Sequence, residues 1–249
     1  MNLKAHVLEV SQFGSGNGLP VLLLHEGLGS VAMWREFPEQ LAAASARQVI
    51  AWSRKGYGSS DDFVGPYSPD FMHRDAAAAA DLMQELGIDR AHVFGHSDGA
   101  TIALLLAARH PHRVASLVLE APHVFVEPMC LTAIEALGQV AGNGNMVARL
   151  GKYHRDAAAV FDQWHAIWTD PEFASWNIEA ELGCITCPTL LIQGENDEFG
   201  TFEQIDRVAA RLPQSRQLRL PNCGHSPHRD QEGAVLAASA AFMQEFANG

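Results

Sequence analysis

Residues 91–110 read AHVFGHSDGATIALLLAARH, and this stretch decides the fold class. An apolar run of strand length (91–95) leads into a helical stretch (98–109), with Gly95-His96-Ser97-Asp98-Gly99 between them. This G-x-S-x-G pattern predicts a sharp strand-to-helix turn that strains the serine backbone and projects its hydroxyl above a sheet. Ser97 is therefore the candidate nucleophile.

Outside this stretch, apolar runs of strand length alternate with amphipathic helical stretches. The predicted strands are 5–10, 20–25, 48–53, 91–95, 114–119, 188–193 and 215–220, and the predicted helices are 34–45, 70–87, 98–109, 201–212 and 230–247. The alternation indicates an α/β fold, a mostly parallel sheet with helices on both faces.

Between residues 123 and 185 the alternation stops, and helical stretches containing Trp164, Trp168 and Trp176 replace it. The run Gly142-Asn143-Gly144-Asn145 predicts a turn between two of these helices. We interpret 123–185 as a helical insertion over the end of the sheet, and 1–122 with 186–249 as the core.

The composition narrows the class of partner. With 17 basic and 29 acidic residues the formal charge is −12, which disfavours nucleic acid and anionic membrane surfaces. The N-terminal stretch MNLKAHVLEV has no apolar run of signal-peptide length, and no segment approaches the roughly 20 apolar residues that span a bilayer. We expect a cytoplasmic protein that acts on a small molecule without cofactor or metal.

The Cys184/Cys187 pair has no further zinc-type ligands at matching spacing. The oligomeric state is left open by the sequence.

A serine nucleophile needs a base to take its proton and an acid to orient that base. The strand at 188–193 runs into Gly194-Glu195-Asn196-Asp197, and the last strand runs into Pro221-Asn222-Cys223-Gly224-His225. Both loops follow the carboxyl ends of strands, and ligands bind at that edge of open α/β sheets. We therefore predict His225 as general base, with His228 as the alternative, and Asp197 as the acid. The neighbours Glu195 and Glu198, and above all Glu120 at the end of the strand 114–119, are alternatives to Asp197.

An oxyanion hole requires two backbone N–H donors. The helix that begins at Asp98 offers one donor, and the loop His25-Glu26-Gly27-Leu28-Gly29-Ser30 offers the second. We assign the Asp98 and Leu28 amides, with Gly27 as the alternative to Leu28. The candidate pocket residues are Glu26, Arg54, His96, Glu120, His123, Trp164 and Trp168.

Taken in order, five segments resemble those of the α/β-hydrolase superfamily over about residues 5–247. They are VLLLHEGLGS (21–30), SRKGYGSS (53–60), GHSDG (95–99), GEND (194–197) and CGHSPHRDQ (223–231). The resemblance implies an eight-stranded sheet with a helical lid after strand six, which would be the 123–185 insertion. The chain departs from the superfamily at two places. The superfamily usually has His-Gly where this chain has His25-Glu26-Gly27, and it usually has an aspartate before the glycine-containing loop where this chain has Ser53.

The Ser97-Asp98 pair is similar to the GWSDGG elbow of biphenyl-hydrolase-like, or valacyclovir-hydrolase-like, enzymes. That resemblance implies ester hydrolysis, with Asp98 suited to meeting a substrate amine; a carboxylate favoured by the helix dipole is the alternative interpretation. We expect a serine hydrolase that cleaves a carboxylic ester through an acyl-enzyme. A carbon–carbon bond hydrolase of the meta-cleavage type, a proline iminopeptidase-like peptidase and a non-catalytic receptor on the same fold stay open.

Overall fold

The structure, a computed structural model, describes residues 2–3, 6–65, 67–141 and 145–246. Its strands are β1 (Asn2–Leu3), β2 (His6–Val7), β3 (Val10–Phe13), β4 (Val21–Leu24), β5 (Val49–Trp52), β6 (Ala91–His96), β7 (Val114–Glu120), β8 (Thr189–Gly194) and β9 (Ser215–Leu220). Strands β3 to β9 form a sheet in the order β3-β5-β4-β6-β7-β8-β9. All neighbours are parallel except β3 with β5. Strands β1 and β2 form a separate antiparallel pair.

Helices cover both faces of this sheet. They are α1 (Phe37–Ser45), α2 (Phe71–Glu85), α3 (Asp98–Arg109), α4 (Pro128–Ala141), α5 (Asn145–Leu150), α6 (Ala157–Trp168), α7 (Glu179–Leu182), α8 (Glu203–Arg211), α9 (Pro227–Asp230) and α10 (Glu232–Glu245). Among the described helices, none combines the length and apolar character needed to cross a bilayer.

Strand β4 shows why the sheet is buried on both sides. Leu22 and Leu24 point into the apolar cluster that contains residues of α2 and α3, whereas Val21 and Leu23 point into the cluster with residues of α1 and α10. Successive strand residues face opposite sides, so a central strand between two helical layers is buried at every position, and in β4 every position is apolar.

Six predicted strands and all five predicted helices match observed elements to within a few residues, but the first strand is wrong. The chain enters the sheet at Val10–Phe13 and not at 5–10; within that predicted range, residue 5 lies outside the described part and His6–Val7 pairs with β1 instead. Strand β3 is a half-exposed edge strand with the sequence VSQF, so it carries little apolar signal.

The implied strand count and lid position also differ from the structure. In the described residues the sheet has seven strands rather than eight. The insertion between β7 and β8, which contains α4 to α7, follows the fifth strand of that sheet in chain order rather than the sixth. The predicted turn at Gly142–Asn145 falls largely on residues 142–144, which lie outside the described part.

Candidate active site

Ser97 occupies the turn between β6 and α3 with φ 55° and ψ −121°, a left-handed conformation that L-residues rarely adopt. The surrounding turn leaves no room for side chains. A Cβ on Gly95 would lie 2.4 Å from the Gly99 carbonyl oxygen, and one on Gly99 would lie 2.0 Å from that of Leu24. Both glycines are therefore required by close backbone approach. The Ser97 amide donates to the Glu120 carbonyl at 2.9 Å, which ties the turn to β7.

The structure brings Ser97, His225 and Asp197 together. His225 Nε2 lies 2.9 Å from Ser97 Oγ, and His225 Nδ1 lies 2.8 and 2.9 Å from the two carboxylate oxygens of Asp197. A carboxylate only accepts, so the proton of a neutral His225 belongs on Nδ1, and Nε2 offers its lone pair to the serine hydroxyl. The arrangement can accept a proton from Ser97.

Asp197 is nearly buried and fixed by several donors. Its oxygens accept from the Phe199 amide at 2.8 Å and from Gln193 Nε2 at 2.6 Å, besides His225. Burial alone would raise the pKa of Asp197, but the charge and hydrogen bond of His225 and the Phe199 amide lower it below the usual value. The carboxylate is therefore ionised at neutral pH.

The two alternative residues, Glu120 and His228, pair with each other instead. Glu120 Oε2 lies 2.7 Å from His228 Nδ1, and both side chains are buried beneath the site. With His96 they form the one group of described residues whose metal-ligand atoms lie within 4.8 Å of one another. Two nitrogen atoms of this group already have hydrogen-bond partners. His228 Nδ1 bonds Glu120, and His96 Nε2 donates to the His225 carbonyl at 2.7 Å. We therefore regard the group as support for the His225 loop.

Gly27, Leu28 and Asp98 line the same cavity as Ser97. In the described part of the chain, the amides of Gly27, Leu28 and Asp98 make no hydrogen bond, and Asp98 opens α3, whose N-terminus carries partial positive charge. Such amides can stabilise an oxyanion. A Cβ on Gly27 would lie 2.1 Å from Trp164 Nε1 and 3.0 Å from Asp98 Oδ2, so α6 lies directly against this loop.

Comparison with known proteins identifies the family. The family model described as "alpha/beta hydrolase fold" matches residues 20–143. The chain belongs to the α/β-hydrolase superfamily. It is 25% identical to a Burkholderia cepacia 2-hydroxy-6-oxo-6-phenylhexa-2,4-dienoate hydrolase, over 94% of this chain and 90% of the relative. It is 28% identical to the human serine hydrolase BPHL, over 89% and 77%. A thermophilic esterase from Thermogutta terrifontis has the same fold, with a TM-score of 0.76, 22% identity and coverage of 98% and 95%.

In this α/β-hydrolase fold a cavity of about 180 Å³ lies over Ser97. Four of the predicted pocket residues line it: Glu26, His123, Trp164 and Trp168. The insertion supplies most of the apolar wall, which includes Cys130, Ile134 and Leu137, none of them predicted. Phe199 was also not predicted, although its place two residues after Asp197 is a signal that the sequence contained.

The predictions for Arg54, His96 and Glu120 are wrong, because these side chains do not line the cavity. Arg54 is buried: its guanidinium bonds Asp75 at 3.0 Å and the Glu26 carbonyl at 2.9 Å, and it stacks on the Tyr57 ring. A buried cation must be paired, and Arg54 finds its partners inside the core. His96 and Glu120 point beneath the nucleophile turn, as described above.

Asp98 lines the cavity beside the nucleophile. It is 1% exposed, and no donor among the described residues reaches its Oδ2 atom. Burial raises the pKa of Asp98 to about 6, although the charge of Arg54 opposes that shift. His123, on the opposite wall, is also buried, and burial together with the nearby His225 lowers its pKa to about 3.

His154, which was not predicted, connects the insertion to the core of this α/β hydrolase. Its Nδ1 accepts from the Gly58 amide at 2.9 Å, and its Nε2 donates to the Leu28 carbonyl at 3.0 Å. An amide N–H can only donate, so the two bonds require the neutral Nε2–H tautomer. Burial, above all, lowers the pKa of His154, which favours that form. The imidazole thereby fixes the loop that carries the Leu28 amide.

Proposed function

We propose that this protein is a serine hydrolase that cleaves a small-molecule carboxylic ester with Ser97, His225 and Asp197 as its catalytic triad. One observation carries the proposal: Asp197, His225 and Ser97 form a continuous line of contacts of 2.8–2.9 Å that ends in a cavity. A nucleophile, a base and an orienting acid in contact are what acyl transfer requires.

In the acylation step, Ser97 Oγ bonds to the ester carbonyl carbon while His225 Nε2 takes the hydroxyl proton. The carbonyl electrons move onto oxygen, and the resulting oxyanion accepts hydrogen bonds from the Asp98 amide and from the Leu28 or Gly27 amide. When the intermediate collapses, the bond to the alcohol oxygen breaks, and the alcohol leaves with the proton from His225. Ionised Asp197 stabilises the transient imidazolium.

In the deacylation step, water replaces the alcohol. His225 removes a proton from the water as its oxygen attacks the acyl carbon, and the same amides hold the second oxyanion. Collapse releases the carboxylic acid and returns the proton to Ser97 Oγ. Besides the substrate and water, these steps use only groups of the chain.

We further propose that residues 123–185 act as a lid subdomain over a core of residues 1–122 and 186–249. Ile134, Leu137, Trp164 and Trp168 of the insertion close the cavity over Ser97. A volume of about 180 Å³ with mainly apolar walls favours a small group next to the scissile bond.

The relatives support hydrolysis and suggest one rival reaction. The human relative is named a serine hydrolase, whereas the Burkholderia relative is named a hydrolase of 2-hydroxy-6-oxo-6-phenylhexa-2,4-dienoate. Since that relative matches 94% of this chain, hydrolysis of a ring-fission diketone is the second candidate. The same three residues would serve it, so substrate turnover must decide between the two.

Labelling with a fluorophosphonate probe tests the nucleophile, and turnover tests the substrate class. We expect the wild-type protein to be labelled, Ser97→Ala to lose labelling, and Ser175→Ala, which changes an exposed serine, to keep it. We expect turnover of p-nitrophenyl esters in preference to ring-fission diketones. An unlabelled wild-type protein would contradict the serine mechanism, and a clear preference for diketones would favour the rival reaction.

A further inference from the structure

A second cavity adjoins the one over Ser97. It has a volume of about 380 Å³, and Leu28 and Leu137 line both cavities. Its walls come from three separate parts of the chain: the segment from Leu28 to Arg35, the segment from α4 to Tyr153, and Arg229 of α9. Because the two cavities share these leucines, the second cavity is the neighbouring space for the part of a substrate that extends away from Ser97.

The charge of this second cavity is opposite to that of the whole chain. Its walls carry the cations Arg35, Arg149, Lys152 and Arg229, and no carboxylate lines it among the described residues. The chain has 29 acidic and 17 basic residues, so a lining whose charged residues are all basic departs from the composition. A concave site with charge of one sign attracts the opposite charge.

Three of the four cations are available for a ligand. Arg229 Nη2 lies 3.4 Å from Glu26 Oε1 and donates to the Met33 carbonyl at 3.1 Å. Within the described residues, the side chains of Arg35, Arg149 and Lys152 have neither an ion pair nor a hydrogen bond. All four residues are exposed, which places the cations at the mouth of the cavity.

The remaining walls are mostly apolar. Met33, Met146, Leu150 and Tyr153 form much of the surface, and Val140 is 54% exposed beside them. Apolar walls with cations at the mouth complement a molecule that has an apolar arm and an anionic end. Methionine side chains also adapt to ligands of different shape.

We propose that the second cavity is a subsite for an anionic substrate end: the ester carries an apolar arm that passes between Leu28 and Leu137 and ends in an anion held by Arg149, Lys152 and Arg35. This inference rests on the proposed ester hydrolysis for the position of the reacting carbonyl. It adds a substrate class, esters whose acyl or alcohol part is itself an acid.

Matched esters test the subsite. Mono-p-nitrophenyl suberate and p-nitrophenyl octanoate have equal acyl length, but only the suberate ends in a carboxylate. We expect a higher kcat/KM for the suberate, and a suberate-to-octanoate ratio that falls about fivefold in Arg149→Glu and in Lys152→Glu. Arg211→Glu, which reverses an exposed arginine of α8 outside the cavity, should keep the wild-type ratio. Added salt should lower the preference.

A binding measurement separates this inference from the proposed function. In Ser97→Ala, calorimetric titration should show tighter binding of monomethyl suberate than of methyl octanoate, and Arg149→Glu should remove the difference. If neither ester is turned over but this difference exists, ester hydrolysis fails and the anion subsite stands. Equal binding of both esters, or a preference unchanged in Arg149→Glu and Lys152→Glu, would overturn the subsite. Circular dichroism verifies that each variant is folded.

Discussion

Glu120 ends β7 and Asp197 lies in the loop after β8, at the same edge of the sheet, yet only Asp197 contacts His225. Its carboxylate receives the imidazole N–H, the Phe199 amide and the Gln193 side chain, whereas Glu120 is directed to His228 beneath the site. The difference lies in which imidazole each carboxylate can reach. It gives the assignment of the acid a direct test.

We expect Asp197→Asn to lower kcat for ester hydrolysis by about ten-thousand-fold, because an amide no longer selects the His225 tautomer that accepts the Ser97 proton. Glu120→Gln should lower kcat less than about tenfold and act mainly on stability, through the lost pair with His228. Steady-state kinetics and denaturant unfolding of both variants measure the two effects. A larger loss of kcat in Glu120→Gln would assign the acid to Glu120.

Asp98 allows a prediction about substrate choice. Its carboxylate lines the cavity next to Ser97 and has an atom without a donor among the described residues, so it can accept from a substrate amine. On this hypothesis, Asp98→Ala lowers kcat/KM for amino-acid esters about tenfold more than for neutral esters of the same size. Equal losses for both ester classes would contradict this hypothesis and favour the alternative, a carboxylate that only interacts with the helix dipole.

The same residue allows a prediction about stability. Because burial raises the pKa of Asp98 from 3.8 to about 6, the folded protein binds this proton more tightly than the unfolded chain. The group therefore lowers the free energy of unfolding as pH rises from about 4 to about 6. Asp98→Asn should be more stable than wild type at pH 7, and the difference should shrink towards pH 4. A difference that is constant with pH would contradict the raised pKa.

At the scale of elements, the turn between β6 and α3 depends on backbone segments that lie too close together for a side chain to fit between them. The backbone of Leu24, the last residue of β4, occupies the position of a Gly99 Cβ, so the start of α3 lies against the neighbouring strand. Helix α3 is buried along almost its whole length, which leaves little freedom to shift. The position of the nucleophile is thus set by strand-to-helix packing.

Gly99→Ala should consequently destabilise the protein by several kcal/mol or prevent folding, because its Cβ would lie 2.0 Å from the Leu24 carbonyl oxygen. Gly233→Ala is the matched control: Gly233 is an exposed residue of α10 whose Cβ would meet nothing within 4 Å. There alanine should stabilise by about 0.5–1 kcal/mol. Thermal unfolding of both variants measures the contrast, and a stable, active Gly99→Ala protein would refute the packing argument.

At the scale of the whole molecule, buried histidines hold distant segments together in neutral form. His154 links the insertion to the Leu28 and Gly58 loops, and His92 bonds Ser116 between β6 and β7 at 2.7 Å. Burial lowers the pKa of both residues, and that of His92 falls from 6.5 to about 4. Protonation is therefore easier in the unfolded chain than in the folded protein.

The sign of the resulting pH dependence follows directly. Below pH 6.5 the unfolded chain binds protons that folded His92 does not, so this contribution to stability is lost as pH falls from 6.5 to about 4. His92→Asn should reduce the decline of unfolding free energy over this range, whatever its effect at pH 8. His112→Asn, at an exposed histidine, should leave the decline unchanged. Denaturant unfolding at several pH values provides the measurement, and equal declines in all three proteins would count against the prediction.

Much of the fold was predictable because hydrophobic periodicity and turn-forming residues are properties of short segments of sequence. Central strand β4 is apolar at every position, and the glycines around Ser97 indicate a turn that only glycine permits. Edge strand β3 was misplaced, since a half-exposed strand needs no apolar run. The places of Ser97, Asp197 and His225 after three strands also followed from local pattern.

The sequence alone thus determined the α/β architecture and the order of the candidate catalytic residues, because strand and helix periodicity and turn glycines are short-range properties. Only the tertiary structure decided which imidazole each carboxylate meets, that Arg54 is buried with Asp75, and which side chains line the cavities. The cations of the second cavity come from positions 35, 149, 152 and 229. Side-chain direction and contact between such distant positions depend on how helices pack on the sheet, which local pattern does not specify.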